Sequence, residues 1–167
     1  MGRSVNNKLI VALSEIGYQQ AATTKETADA IEQLLDYIAT YPNNGILFRK
    51  SDMILAAHAD TGFHNKSKAC SRAGAHIFLS ENDPEPKLNG TVLTIAQLIK
   101  SVMASSAESE MSALYITAKK VIPLRNTLIE MGLPQPNFPI QTDNSTAVGF
   151  INKTIFKKST KSADMKL

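Results

Sequence analysis

MILAAHAD, residues 53 to 60, is an apolar run without polar alternation that ends in a carboxylate. A strand covered on both faces has this pattern, because each side of its pleat must meet apolar neighbours. AGAHIFLS, 73 to 80, reads as a second strand, and after the Asp83-Pro84-Glu85-Pro86 loop TVLTIAQLI, 91 to 99, reads as a third. Upstream, Thr23-Thr24-Lys25-Glu26 has the spacing of a capping box, and Ala28, Ile31, Leu34, Leu35 and Ile38 follow at helical intervals, which predicts a helix over 24 to 40. Tyr41-Pro42-Asn43-Asn44-Gly45 stops it, and GILFRK, 45 to 50, reads as a short strand. Downstream, a helix opens at Ser105 and runs to Ile122, where Pro123 is expected to kink or restart it before Gly132-Leu133-Pro134 ends the helical region. NFPIQTD, 137 to 143, reads as a fourth strand that again ends in Asp, and a short helix follows Asn144. This order predicts an α/β fold with strands of mixed direction.

With 167 residues, 43% of them hydrophobic, the chain is expected to form one domain with a substantial core. It contains no apolar run of about eighteen residues or more, and its start, MGRSVNNK, lacks an apolar signal core, so the expectation is an intracellular protein with no membrane partner. Met1-Gly2 does not make a myristoylation signal, because Asn6 stands where Ser or Thr is required. The Asn-x-Ser/Thr triplets at Asn65, Asn89, Asn144 and Asn152 would matter only in a secreted chain. One cysteine, Cys70, and three histidines offer no Cys/His ligand spacing, so any bound metal must be held by oxygen. The net charge of +3 is uneven: residues 151 to 167 carry Lys153, Lys157, Lys158, Lys161 and Lys166 against Asp164. Such a tail is either a solvated lysine-rich end or a phosphate-neutralising segment.

Asp60 and Asp143 each close an apolar strand, the end at which open α/β sheets bind ligands. The same position also suits a turn-forming or helix-capping Asp. In Ser105-Ser106-Ala107-Glu108-Ser109-Glu110, Glu108 falls where it completes a capping box with Ser105. Glu110 instead begins a stripe with Leu114, Ala118 and Val121 that faces the sheet. A carboxylate on a buried stripe must either meet a cation or reach solvent from the stripe's edge. Asp60, Glu110 and Asp143 are 50 and 33 residues apart, so only the fold can unite them. Together they would suit a hard divalent cation such as magnesium or manganese.

The stretches HADTGFHNKSKACSRAGAHIFLS (58 to 80), SSAESEMSALYITAKK (105 to 120), LRNTLIEMGLPQP (124 to 136) and QTDNSTAVGFINKTIFKKSTKSADM (141 to 165) follow one another in a telling order. In order and spacing they resemble successive blocks of the ribonuclease H domain of copia-type LTR retrotransposon polyproteins. IEQLLDYIATYPNNGILFRKSDM, 31 to 53, is similar to the segment that joins reverse transcriptase to that domain. The resemblance spans residues 20 to 167, and it divides the chain into 1 to 50, the end of the reverse transcriptase and its connection, and 51 to 167, an RNase H-like domain. It implies a mixed sheet with flanking helices, cleavage of the RNA strand of RNA/DNA hybrids, and two Mg2+ or Mn2+ ions as cofactors. It matches Asp60 to the family's first-strand Asp, Glu110 to its helix Glu and Asp143 to its fourth-strand Asp, the catalytic metal ligands. The implied partners are RNA/DNA hybrid, met in part by Lys153, Lys157, Lys158 and Lys161, and the reverse transcriptase part of the parent polyprotein.

Two departures from the family pattern bear on function. Many relatives have Asp-x-Asp where this chain has His58-Ala59-Asp60; if the ligand position is that of His58 the site is broken, whereas the distance to SRAGAHIFLS favours Asp60, with His58 and His76 as strand residues and His64 as a loop residue. Family members also continue past STKSADMKL into a fifth strand, a loop and a final helix bearing a fourth metal-binding Asp, a role that Asp164 does not match. A domain ending at Leu167 is therefore expected to lack its last strand and helix and to cleave hybrid slowly or not at all. The alternative is a noncatalytic retroelement remnant with at most weak nucleic-acid binding. A non-nuclease α/β interaction domain, with the carboxylates as caps and turn formers, is a third reading.

Overall fold

The computed structural model describes residues 6 to 63, 70 to 137 and 140 to 152. A 3-10 turn (Asn7–Leu9) leads into α1 (Ile10–Tyr18) and α2 (Lys25–Thr40). Strands β1 (Ile54–Gly62), β2 (Ser71–Ser80) and β3 (Thr91–Ile99), helix α3 (Ser106–Glu130), strand β4 (Ile140–Gln141) and helix α4 (Ser145–Ile151) follow. The architecture is α/β, as expected: a four-stranded mixed sheet in the order β3-β2-β1-β4, flanked by helices. The β1-β2 and β2-β3 pairs are antiparallel, whereas β4 runs parallel to β1.

Alternation divides β1 and β2 between two faces. Leu55, Ala57, Ala75, Ile77 and Ile95 form a buried cluster with Val121 of α3, and Leu124 and Leu128 pack at its margin. The small alanines let the helix lie close to the sheet. A second cluster, Ala73, Ile99, Met103 and Ala113, continues this layer toward the start of α3, and a third joins Ala59, Leu114 and Ala147 of α4. On the other face α1 is pinned to the sheet through Arg72, which donates to Ser14 Oγ at 2.8 Å and lies 3.9 Å from Glu15.

Several local expectations change in the folded chain. GILFRK forms no strand; its backbone is instead held by the Asn89 side chain, which accepts from Arg49 N–H at 2.7 Å and donates to Arg49 O at 2.9 Å. β1 continues two residues past Asp60, because Thr61 and Gly62 still pair with Ala73 and Arg72. α3 passes through Pro123 without a break, with Pro123 on its exposed side, and ends at Glu130, just before Gly132. There a positive φ of 83° permits the closing bonds Gly132 N–H to Ile129 O and Leu133 N–H to Leu128 O.

Among the described residues the expected fourth strand comprises Ile140–Gln141, so Asp143 stands two residues beyond the ladder rather than at its last rung. The α2 cap is Thr24 in reciprocal bonds with Thr27, one residue later than the Thr23/Glu26 spacing suggests. Its stripe is not sealed, and Ile31 and Leu35 are exposed. Among the described residues no helix is long and apolar enough to cross a membrane.

Candidate metal centre

The three carboxylates come from three elements that meet at one end of the sheet. Asp60 is set by β1, whose register with β2 places it opposite Gly74. Glu110 lies in the second turn of α3, a helix whose start is fixed by Ser105: its hydroxyl accepts from Glu108 N–H at 3.2 Å. Glu108 does not return this bond to Ser105 as a standard capping box would; its carboxylate accepts from Ala104 N–H at 2.6 Å. Asp143 follows β4, whose parallel pairing with Ala57 and His58 brings the loop beside β1. Asn144 then caps α4 by accepting from Ala147 N–H at 3.0 Å.

One carboxylate oxygen from each of Asp60, Glu110 and Asp143 lies within 4.8 Å of the others. Asp60 and Asp143 are exposed, whereas Glu110 is only 4% exposed, so the cluster has a buried floor and an open rim. The sheet-facing stripe that includes Glu110 is completed by Ala113, Leu114, Thr117 and Val121, with Thr117 taking the place expected for Ala118. Burial chiefly, then the charges of Asp60 and Asp143, push the Glu110 carboxyl up to about 7. Hydrogen bonds from the Thr142 side chain and the Thr61 backbone N–H act in the opposite direction. Neither donor stood out in the sequence, where Thr61 and Thr142 are merely neighbours of aspartates.

The donor set consists of oxygen alone, and no lysine or arginine among the described residues forms an ion pair with any of the three carboxylates. Three carboxylates converging with no cationic partner among the described residues fit a hard divalent cation, which needs several oxygen ligands and would neutralise the buried glutamate. Asp60 itself accepts from Thr61 N–H at 2.6 Å, which holds one of its oxygens in place.

His58 is outside this cluster. Its ring lies 5.4 Å from that of Phe78, and the His76 ring lies 5.1 Å from the same phenyl group. Burial, followed by the proximity of His76, lowers the His58 pKa, with the Gln141 side chain opposing the shift. His58 and His76 are strand residues, as the sequence suggested, and the register pairs them directly. Lys153, Lys157, Lys158 and Lys161, together with His64 and Asp164, lie outside the described residues.

No protein-family profile matches the chain, and no solved structure matches it significantly. It is similar to the retrovirus-related Pol polyprotein from transposon TNT 1-94 of Nicotiana tabacum, with 24% identity over 142 residues. That alignment covers 85% of this chain and 10% of the polyprotein, so the chain spans about a tenth of its relative's length. The similarity supports a retroelement origin.

Proposed function

We propose that this chain is the ribonuclease H portion of a retroelement polyprotein, whose chemistry is hydrolysis of the RNA strand in RNA/DNA hybrids. The observation that carries this reading is the convergence of the Asp60, Glu110 and Asp143 oxygens within 4.8 Å at one end of a mixed sheet. Similarity to a Pol polyprotein gives the setting in which such a site would meet its substrate. The three carboxylates would hold two divalent cations, magnesium or manganese. Bound there, the ions would supply an activated water and neutralise charge on the phosphate and the leaving 3′ oxygen.

The protein's own contribution is binding and placement. Glu110 anchors from the buried side, while Asp60 and Asp143 stand at the exposed rim, where a nucleic-acid backbone can approach. None of the three is required as a nucleophile, which agrees with the absence of any Ser/His/Asp arrangement in the sequence. Lys153, Lys157, Lys158 and Lys161 would add salt-sensitive attraction to phosphates.

The test is cleavage of a labelled RNA/DNA hybrid by the purified chain in magnesium or manganese, beside Asp143→Asn. Hybrid-specific cleavage, even slow, that disappears with EDTA and in the variant supports the proposal. Cleavage that persists in Asp143→Asn would overturn it. Metal binding without any hybrid cleavage would favour a noncatalytic retroelement remnant.

A further inference from the structure

We propose that Thr142 is a positioning residue for the carboxylate cluster, tying Glu110 to the loop that carries Asp143; this inference rests on the metal reading above. The Thr142 hydroxyl donates to Glu110 Oε2 at 3.4 Å, and the Asn144 N–H donates to the same Thr142 hydroxyl oxygen at 3.4 Å. A hydroxyl has one proton and two lone pairs. With Asn144 N–H directed at its oxygen, the hydroxyl is used in both senses, and its proton goes to Glu110. The hydrogen bonds therefore run from the loop backbone, through Thr142, to the glutamate on α3.

This short relay adds a polar tie to the packing of Ala147 against Leu114 and Ala59, which seats α4 beside α3. Among the described residues β4 pairs with β1 at Ile140 and Gln141, and the ladder has ended before Asp143 is reached. On the far side, Asn144 is committed to α4 through its bond with Ala147 N–H. Asp143 thus sits between the two residues that make the relay, so the Thr142 bond ties the backbone that carries Asp143 to Glu110. The Thr142 hydroxyl and the Thr61 N–H each take one of the roughly four lone-pair sites of the Glu110 carboxylate, which leaves others to serve a cation. Groups that orient metal ligands in this way matter to affinity although they never touch the ion.

The experiment is calorimetric titration of Mn2+ into the full chain and into Thr142→Val, Thr142→Ser and, as a second hydroxyl-free variant, Thr142→Ala. Thermal unfolding in EDTA is measured alongside to show that each variant is folded. Removing the hydroxyl should weaken Mn2+ binding about tenfold in Val and Ala, while Ser, which keeps the hydroxyl, stays within about threefold of the parent. Val and Ala variants that bind as the parent does, or a Ser variant as weak as Val, would overturn the positioning role. A parent chain that binds no Mn2+ would instead overturn the metal reading and take this inference with it.

Discussion

Replacing Glu110 by glutamine should stabilise the metal-free protein at neutral and higher pH, because the native fold disfavours the ionised carboxylate. Burial and the two neighbouring aspartates raise its pKa from an ordinary 4.5 to about 7. A group with a raised folded-state pKa binds its proton more tightly in the native chain. Its favourable contribution is complete below the unfolded value and is lost as pH rises from 4.5 through about 7. That shift corresponds to about 3 kcal/mol between the protonated and ionised extremes.

Glutamine has nearly the same shape and can still accept the Thr142 hydroxyl, but it never acquires charge. In urea titrations with EDTA, Glu110→Gln should exceed the parent by up to about 3 kcal/mol near pH 8 and by almost nothing near pH 4. The lowered His58 pKa acts in the opposite sense, weakening the fold as pH falls, but it is common to both proteins and drops out of the difference. Excess Mn2+ should reverse the order at pH 8 by stabilising only the chain that retains all three carboxylates. A glutamine variant no more stable than the parent at pH 8 in EDTA would refute the burial and repulsion assigned to Glu110.

Gln135, 7% exposed, accepts from Leu55 N–H and donates to Met53 O, both at 2.9 Å, and so continues the hydrogen bonding of β1 beyond its strand partners. Gln135→Ala should cost about 2 kcal/mol in urea denaturation, since the buried Leu55 N–H is left unpaired; a loss below about 0.5 kcal/mol would count against that role. At Gly90 an added Cβ would lie 2.6 Å from Leu47 O and 2.7 Å from a Phe48 ring carbon. Gly90→Ala should therefore destabilise the fold by about 1 to 3 kcal/mol and loosen residues 45 to 50, seen as faster proteolysis there, whereas an unchanged melting point would show that this contact yields freely.

The sheet's three long strands and the start of α3 were legible in the sequence because each depends on local signals: apolar runs bounded by turn residues, and a serine at the right distance from a glutamate. Strand ends and an inward helix stripe marked Asp60, Glu110 and Asp143 singly, each with a structural alternative, and the resemblance to the ribonuclease H blocks is what joined them into one expected site. What local pattern could not convey was which polar side chain replaces a backbone partner. GILFRK has strand composition, yet Asn89, 40 residues away, takes both hydrogen bonds of Arg49. NFPIQTD likewise looks like a strand that runs to its Asp, but among the described residues the pairing with β1 stops at Gln141.

Pro123 illustrates a propensity overridden by packing, because the buried residues of α3 on either side, Val121 and the partly buried Leu124 and Leu128, join one core cluster. Thr61 and Thr142 carried no signal of their own. Their importance comes from a glutamate on a distant helix. α1 was also missed, since its attachment depends on Arg72 reaching Ser14 across the fold.

The most direct test of the metal centre is anomalous diffraction from crystals of the chain soaked in Mn2+, compared with crystals of Asp143→Asn. Two peaks about 4 Å apart, bounded by the carboxylates of Asp60, Glu110 and Asp143 and diminished or lost in the variant, are the expected result. Crystals with no anomalous density among these three residues, or with equal peaks in the Asp143→Asn variant, would contradict it.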